Sequence, residues 1–215
     1  MPQIFHPSTN TLSRLSIFGA LALVFLVLFA LDLVNRTSYV TQERVARAQP
    51  VQFSHQHHVG QLGIDCRYCH STVERSAVAG LPSTQTCMNC HAQIWADSDF
   101  LAPVRSSWRS NRAIPWVKVH DLPDFVYFDH SVHVAKGIGC VSCHGRVDRM
   151  NQLWQATSLQ MGWCLDCHRH PEAHVRPRDK IFDLAWQPDD QAQLGAELVR
   201  EYAVHARTDC TACHR

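Results

Sequence analysis

Residues 51–70 read VQFSHQHHVGQLGIDCRYCH, and residues 126–144 read VYFDHSVHVAKGIGCVSCH. Both stretches contain the pattern F-x-H-x-x-H, then Gly-Ile, then C-x-x-C-H, and the first is one residue longer. The likeness continues after each stretch, and each copy reaches a second C-x-x-C-H farther along the chain. A segment copied in this way indicates one structural unit that occurs twice. The sequence therefore predicts two modules in tandem.

The pattern C-x-x-C-H occurs five times in the 215 residues and includes all ten cysteines. At this spacing, two thiols can attach a haem covalently while the next histidine binds its iron from one side. Zinc sites need no histidine directly after the second cysteine, and disulfides have no reason to form five identical short units. We therefore expect five covalently bound haem c groups. In order, the motifs are Cys66, Cys69 and His70; Cys87, Cys90 and His91; Cys140, Cys143 and His144; Cys164, Cys167 and His168; and Cys210, Cys213 and His214.

The F-x-H-x-x-H pattern supplies candidates for the opposite faces of the irons. His55 and His58 in the first copy are three residues apart, as are His130 and His133 in the second. On a helix, residues at this spacing share one face and can reach neighbouring haems. We predict that all four are sixth ligands, and the alternative is that they are exposed histidines on a polar helix. His57 lies outside the pattern and is not expected to bind iron.

The fifth iron has no partner in the repeat. His120, just ahead of the second copy, is the first candidate for its sixth ligand, and His205 and Met161 remain open alternatives. A methionine ligand would raise the potential of that haem relative to neighbours with two histidines.

The composition does not suggest an ordinary hydrophobic core. After residue 35 the apolar residues form no long periodic runs, and ten prolines interrupt the chain. Haems can replace a core, because each gives the polypeptide a large apolar body to pack against. We therefore expect short helices and long irregular segments around the haems. Of 20 basic residues only three are Lys, and Arg suits haem propionates; no basic arm suggests nucleic-acid binding.

Residues 15–34 read LSIFGALALVFLVLFALDLV and are long and apolar enough to cross a bilayer. The competing interpretation is a cleaved signal peptide, but the small-x-small sequence at 46–48 lies well beyond the apolar run. We expect a retained single-pass anchor in the cytoplasmic (inner) membrane. Because covalent haem attachment takes place outside that membrane, the haem region should lie on its periplasmic side.

These observations predict six segments. They are a cytoplasmic N-terminus (1–14), a transmembrane helix (15–34), a linker (35–50), a first di-haem module with its connection (51–125), a second di-haem module (126–170), and a C-terminal segment with the fifth haem (171–215). Residues 171–208 show only a weak helical signal around 191–204, and both a linker and a docking surface remain open for them.

F-x-H-x-x-H followed by paired C-x-x-C-H motifs resembles the class III multihaem cytochromes, the cytochrome c3 and c7 group, over residues 51–168. With the membrane helix and the terminal motif, the whole chain resembles the pentahaem cytochrome c subunits of bacterial alternative complex III. That resemblance implies a quinol:electron-acceptor oxidoreductase complex. Its implied partners are an iron–sulfur subunit, quinol-oxidising integral membrane subunits, and a monohaem cytochrome c, another soluble carrier or a terminal oxidase.

An iron with protein ligands on both faces has no position left for a substrate, so electron transfer is the expected function. We expect an electron-transfer subunit that is not a catalyst by itself. Two alternatives stay open. One is a multihaem reductase with one open haem, which a high-spin iron would indicate. The other is a tetrahaem-type quinol dehydrogenase, although a single helix offers little wall for a quinone pocket.

Overall fold

The computed structural model describes residues 4–214. The chain forms two compact units, the first ending at Gln42 and the second beginning at Glu43.

The first unit is dominated by one long helix. Helix α1 (Ser8–Asn35) has 28 residues and begins directly after Pro7, where the missing proline N–H is tolerated. The helix thus starts seven residues before the predicted span, because polar residues 8–14 contain no helix breaker. Its side chains are exposed, and its length and composition would allow it to cross a membrane. A short helix, α2 (Ser38–Thr41), follows within the predicted linker.

The second unit consists of short helices joined by irregular segments, as expected. Within residues 4–214 no β-strand forms, and the only pairings of that kind are two isolated bridges. Each C-x-x-C-H motif begins or ends in a helical turn. The α-helices are α3 (Cys66–Cys69), α4 (Thr84–His91), α5 (Ala102–Ser110), α6 (His130–Ala135), α7 (Cys140–His144), α8 (Met161–Arg169) and α9 (Gln191–Glu201). A π-helix covers Gln56–Gln61, and 3₁₀ turns cover Asp99–Leu101, Val147–Arg149, Pro171–Ala173, Arg178–Lys180 and Cys210–Ala212.

The two copies of the repeat differ in the helix that carries their histidine pair. The second copy forms helix α6, whereas the first forms the π-helix, which accommodates one residue more. Both helices end in the same way. The N–H of Ile64 donates to the carbonyl of His58 (3.0 Å), and that of Ile138 donates to His133 (3.0 Å). The extra residue therefore lies inside the helix and leaves both of its ends alike.

Glycine is required where these helices end. Gly63 and Gly137 occupy equivalent positions and have φ of +67° and +83°, in the left-handed region that other residues rarely adopt. At Gly137 a Cβ would also lie 2.8 Å from the carbonyl oxygen of Arg176. The shared Gly-Ile sequence therefore reflects a turn that both copies use.

The two modules dock through equivalent segments. The N–H of Gln56 donates to the carbonyl of Met150 (3.0 Å), and the N–H of Ser131 donates to that of Ser76 (3.2 Å). Gln56 and Ser131 each follow the first histidine of the pair, while Ser76 and Met150 each stand six residues after a motif histidine. The docking is thus approximately two-fold symmetric. Gly60 permits a close approach here, since a Cβ on it would lie 2.2 Å from the Asp148 carbonyl oxygen.

Hydrophobic packing in this unit is limited to small clusters. One contains Val51, Leu101 and Val104, and Met88 and Trp116 pack against it. Eleven apolar side chains are buried among the described residues, which is few for a unit of this length. The fold therefore depends on something besides its own hydrophobic core.

The C-terminal segment packs against the second module. Val175, Leu198 and Tyr202 form a buried cluster with the partly buried Ile138. The ammonium of Lys136 donates to the carbonyl of Tyr202 (2.7 Å). Helix α9 forms where the sequence showed a weak helical signal, and Asp190 caps its first turn. Residues 175–202 are therefore packed into the second unit, which disfavours the linker alternative for them.

Candidate haem-binding site

One phenylalanine in each copy holds the two histidines of the pair. Phe53 stacks on His58 with ring centroids 4.4 Å apart and meets the edge of His55 at 4.8 Å. In the second copy, the corresponding contacts around Phe128 also measure 4.4 Å and 4.8 Å. The phenylalanine of F-x-H-x-x-H thus fixes the orientation of both imidazoles, and the structure repeats that arrangement closely.

The second histidine of each pair faces the histidine of a C-x-x-C-H motif. His58 lies opposite His91 with ring centroids 6.1 Å apart and ring planes 65° apart. His133 lies opposite His168 at 6.1 Å and 62°. Each module therefore brings its second histidine to its own second motif.

The first histidine of each pair belongs with the first motif of its module. His130 and His144 have centroids 6.3 Å apart and nearly parallel planes, 13° apart. In the first module, burial, with a smaller contribution from the nearby His70, lowers the pKa of His55 to about 4. The structure thus places three of the four predicted sixth ligands opposite a motif histidine of their own module and brings His55 near His70.

The spacing of these rings fits a haem iron between them. An imidazole nitrogen binds a metal at about 2 Å, so two rings on opposite sides of one iron have centroids about 6 Å apart. The three measured pairs lie 6.1, 6.1 and 6.3 Å apart. The thiols next to the motif histidines are free and at most partly buried. The residues present therefore suit covalent haems with a histidine on each face.

Backbone carbonyls set the orientation of seven of the candidate ligand rings. In each, the Nδ1–H donates to a carbonyl oxygen, which leaves the Nε2 lone pair for a metal. The donors and acceptors are His58 to Ser54 (2.9 Å), His70 to Gly80 (2.7 Å), His91 to Ile94 (2.9 Å), His130 to Ala77 (2.8 Å), His133 to Asp129 (2.7 Å), His168 to Arg207 (2.8 Å) and His214 to Phe125 (3.1 Å).

Two candidate ligands depart from this rule. The Nδ1 atom of His55 is buried and has no hydrogen-bond partner among the described residues. His144 contacts an imidazole, with its Nδ1 3.2 Å from Nε2 of His120. Burial, with a smaller contribution from the adjacent His120, lowers the pKa of His144 to about 3, and burial lowers the pKa of His120 to about 4. Both rings are therefore neutral near pH 7.

This contact bears on the sequence prediction for His120. The sequence analysis assigned His120 to the fifth iron, but the structure brings it to the third motif, where its Nε2 contacts His144. Its role at the fifth iron stays an untested prediction. His205 is exposed, and Met161 is 67% exposed one turn before Cys164.

His57, which the pattern excluded, differs from the candidate ligands. Its side chain is exposed and stacks on Trp95 with centroids 6.3 Å apart. Its Nδ1 lies 2.8 Å from Oε1 of Gln61. It is therefore a useful control for its neighbour His58.

Neighbouring thiols order the first three motifs in space. Burial raises the pKa of Cys69, and the nearby Cys87 thiol raises it further, so the first and second motifs adjoin. Burial also raises the pKa of Cys140 to about 12, with Cys66 the next contributor. The first motif therefore lies between the second and the third.

The remaining motifs continue this series. Burial raises the pKa of Cys143 to about 12, and the fourth-motif thiols Cys167 and Cys164 contribute to it. Burial raises the pKa of Cys164, and Cys213 of the fifth motif raises it further. The electrostatic influence of one thiol on another thus indicates the spatial order second, first, third, fourth, fifth.

The fifth motif lies beside the connection that leads into the second copy. The N–H of Tyr127 donates to the carbonyl of Cys213 (2.8 Å), and the ring of Phe125 stacks on His214 with centroids 5.8 Å apart. These contacts and the backbone acceptors of the ligand rings could not be read from the sequence, because any residue can supply a carbonyl. Only the aromatic positions gave a signal.

Comparisons with known proteins agree with this arrangement. A model of the Class III cytochrome C family matches residues 33–114, and one of Cytochrome c7 and related cytochrome c matches residues 126–215. The multihaem cytochrome c component of the menaquinone reductase of Nitratidesulfovibrio vulgaris is 36% identical over 99 residues, which are 46% of this chain and 46% of that protein. The match thus spans about half the length of the curated relative.

The two family matches fall on either side of the connection between the modules. One covers the first copy of the repeat, and the other covers the second copy with the terminal motif. The chain therefore contains class III-type multihaem cytochrome c domains, and this part of the sequence interpretation is confirmed.

Proposed function

We propose that this chain is a membrane-anchored pentahaem c-type cytochrome that carries electrons within a quinol-oxidising respiratory or photosynthetic complex. The observation that carries the proposal is the set of three imidazole pairs at 6.1–6.3 Å, each with one ring from a C-x-x-C-H motif. A haem held there supplies reversible one-electron chemistry at its iron. With histidine on both faces, no position remains for a substrate.

The chain's own residues prepare this site in three ways. The cysteines would anchor each haem, the paired histidines would bind four of the irons, and backbone carbonyls hold seven of the candidate ligand rings in one orientation. Fixed ligands favour electron transfer because little rearrangement accompanies the change in charge. Arg side chains are the candidate partners for propionates, since their planar fork suits carboxylates.

The order of the motifs supports a linear path. The second and fifth motifs are the two ends of the series indicated by the electrostatic influence between thiols. Because consecutive motifs adjoin, electrons could pass from one haem to the next between these ends. We assign them as the entry and exit positions, without a direction.

The quinol link rests on the relative and on the N-terminal helix. The relative's name describes a menaquinone reductase component, and α1 would allow this chain to remain at a membrane. We propose an alternative complex III-like assembly in the cytoplasmic membrane with the haem unit on the periplasmic side. Its partners would be quinol-oxidising membrane subunits and an iron–sulfur subunit. Its acceptor would be a monohaem cytochrome c or a terminal oxidase.

The proposal is tested on the full chain produced with a c-type haem maturation system. We expect five haems per chain by mass spectrometry and recovery in the membrane fraction. The reduced protein should pass electrons to a soluble cytochrome c, while the isolated protein should not oxidise a quinol analogue. Fewer than five covalent haems, or quinol oxidation by the isolated protein, would contradict the proposal.

A further inference from the structure

The third motif differs from the other four in the group that accepts its Nδ1 hydrogen. The histidines of the first, second, fourth and fifth motifs all donate to backbone carbonyls. His144 instead has the imidazole of His120 as its partner, at 3.2 Å. The two ring centroids are 4.3 Å apart, and the planes meet at 68°. In this edge-to-face contact, Nε2 of His120 lies within hydrogen-bond distance of Nδ1 of His144.

Hydrogen bonds to the backbone just before His120 hold it in this position. The amide group of Gln49 makes two hydrogen bonds with the backbone of Val117, at 2.9 and 3.0 Å. The guanidinium of Arg47 donates to the carbonyl of Lys118 (2.9 Å), and Val119 is buried. The segment that carries His120 is thus fixed at three consecutive residues before it.

The iron that His144 would bind already has a candidate ligand on its other side. The ring centroid of His130 lies 6.3 Å from that of His144, the spacing expected of two ligands to one iron. His130 donates its own Nδ1–H to the carbonyl of Ala77. His120 therefore contacts the side of His144 that faces away from the metal position.

We propose that His120 is a positioning residue for the third haem, accepting the Nδ1 hydrogen of His144 and lowering the reduction potential of that haem. An imidazole nitrogen is more basic than a peptide carbonyl, so it draws the shared hydrogen more strongly. His144 then donates more electron density to iron, which stabilises the oxidised form. The inference rests on the proposed haem attachment at the third motif.

The test compares three substitutions of His120 in the full haem-loaded chain. His120→Phe and His120→Asn both remove the hydrogen-bond acceptor. Phenylalanine has no ring nitrogen, and the asparagine side chain is too short to reach His144. His120→Gln keeps an acceptor of similar reach. His57→Phe is the matched control, because His57 is exposed and outside the ligand pattern. The readouts are covalent haem count, low-temperature electron paramagnetic resonance spectra and a potentiometric titration.

We expect every variant to keep all its haems and to have as many low-spin haems as the parent protein. In His120→Phe and His120→Asn, one midpoint potential of the set should rise while the others stay in place, and one low-spin signal should shift. His120→Gln should restore most of the parent behaviour, and His57→Phe should match the parent. Should His120→Phe fail to fold, the smaller His120→Asn gives the same comparison.

Two results would overturn the inference. Unchanged potentials in both acceptor-free variants would mean that the contact has no influence on the haem. A high-spin signal or carbon monoxide binding in either variant would mean that His120 is itself an iron ligand, as the sequence suggested for the fifth iron. Loss of the proposed function is distinguishable, because it would show as missing haems in the unmodified protein.

Discussion

The two copies of the repeat have nearly the same arrangement of candidate ligand rings but carry it on different kinds of helix. The phenylalanine contacts measure 4.4 and 4.8 Å in both, and the second histidine lies 6.1 Å from its partner in both. Yet one module uses a π-helix and the other an α-helix. The extra residue of the first copy lies in the chain between His58 and Ile64, after both candidate ligands. Ligand geometry is thus the feature that both copies share.

A second difference lies in how the first histidine of each pair is held. His130 donates to the carbonyl of Ala77 in the other module, whereas the Nδ1 atom of His55 is buried without such a partner in the described structure. Because an unpaired buried polar group carries a cost, the first module is the less completely satisfied of the two. Matched substitutions in the two modules can show how far they are equivalent.

The largest effect should follow loss of a sixth ligand. His58→Ala and His133→Ala should each convert one low-spin haem to a high-spin haem that binds carbon monoxide, because each removes one face of ligation. Low-temperature electron paramagnetic resonance measures the change. His57→Ala is the control and should leave every haem low-spin. Unequal results for His58 and His133 would end the equivalence of the modules.

A smaller effect is expected at the contact between the modules. Gly60→Ala places a Cβ 2.2 Å from the Asp148 carbonyl oxygen. The backbone must shift, at a cost of about 1–3 kcal/mol in the free energy of unfolding. Chemical denaturation followed by haem absorbance measures it. Gln56→Ala, on an exposed side chain of the same helix, should change little; equal stability of both variants would argue against the tight contact.

A weaker and pH-dependent effect should follow at the start of α6. Asp129 accepts hydrogen bonds from the backbone N–H groups of Ser131 and Val132. The Ser131 hydroxyl and these N–H groups lower the pKa of Asp129. The Asp129 carboxylate therefore stabilises the folded state at pH values above its pKa in the unfolded chain. This stabilisation is lost as the pH falls through its lower pKa in the folded state.

Asp129→Ala should lower the midpoint temperature of thermal unfolding at pH 7. The difference in midpoint between this variant and the parent should become smaller at acidic pH. Asp129→Asn should lose less, since asparagine also caps helices well. The first module offers the comparison Ser54→Ala, where Ser54 Oγ accepts from the His57 N–H at 3.1 Å. A gap for Asp129→Ala that stays constant with pH would exclude the carboxylate as its cause.

The smallest effect is spectroscopic and needs no substitution. The ring planes cross at 65° and 62° at the second and fourth motifs but only at 13° at the third. Nearly parallel ligand planes separate two iron d orbitals more than crossed planes do. The oxidised protein should therefore show two strongly anisotropic low-spin signals and one rhombic signal. Three identical signals would contradict these ring orientations.

The sequence predicted the repeat and the histidine pairs because spacing encodes both. Ligation needs particular residue types at fixed intervals, so F-x-H-x-x-H and C-x-x-C-H stand out without any structure. The long apolar helix was also visible, although its start at Ser8 was not, since polar residues with no breaker can extend a helix.

Other features depend on contacts that spacing does not encode. Docking between Gln56 and Met150 uses only backbone groups, which every residue has. The position of His120 is set by hydrogen bonds to residues some seventy positions away. To predict the packing of Leu198 and Tyr202 against the second module, one would have to know which face of α9 is buried.

The central claim is that paired histidines close both faces of the haem irons and so make this chain an electron carrier. Near-infrared magnetic circular dichroism of the oxidised full-length protein, normalised to its haem content, tests it most directly. We predict bands of histidine–histidine ligation that account for at least four haems per chain. Bands of high-spin iron for two or more of these haems would contradict the claim.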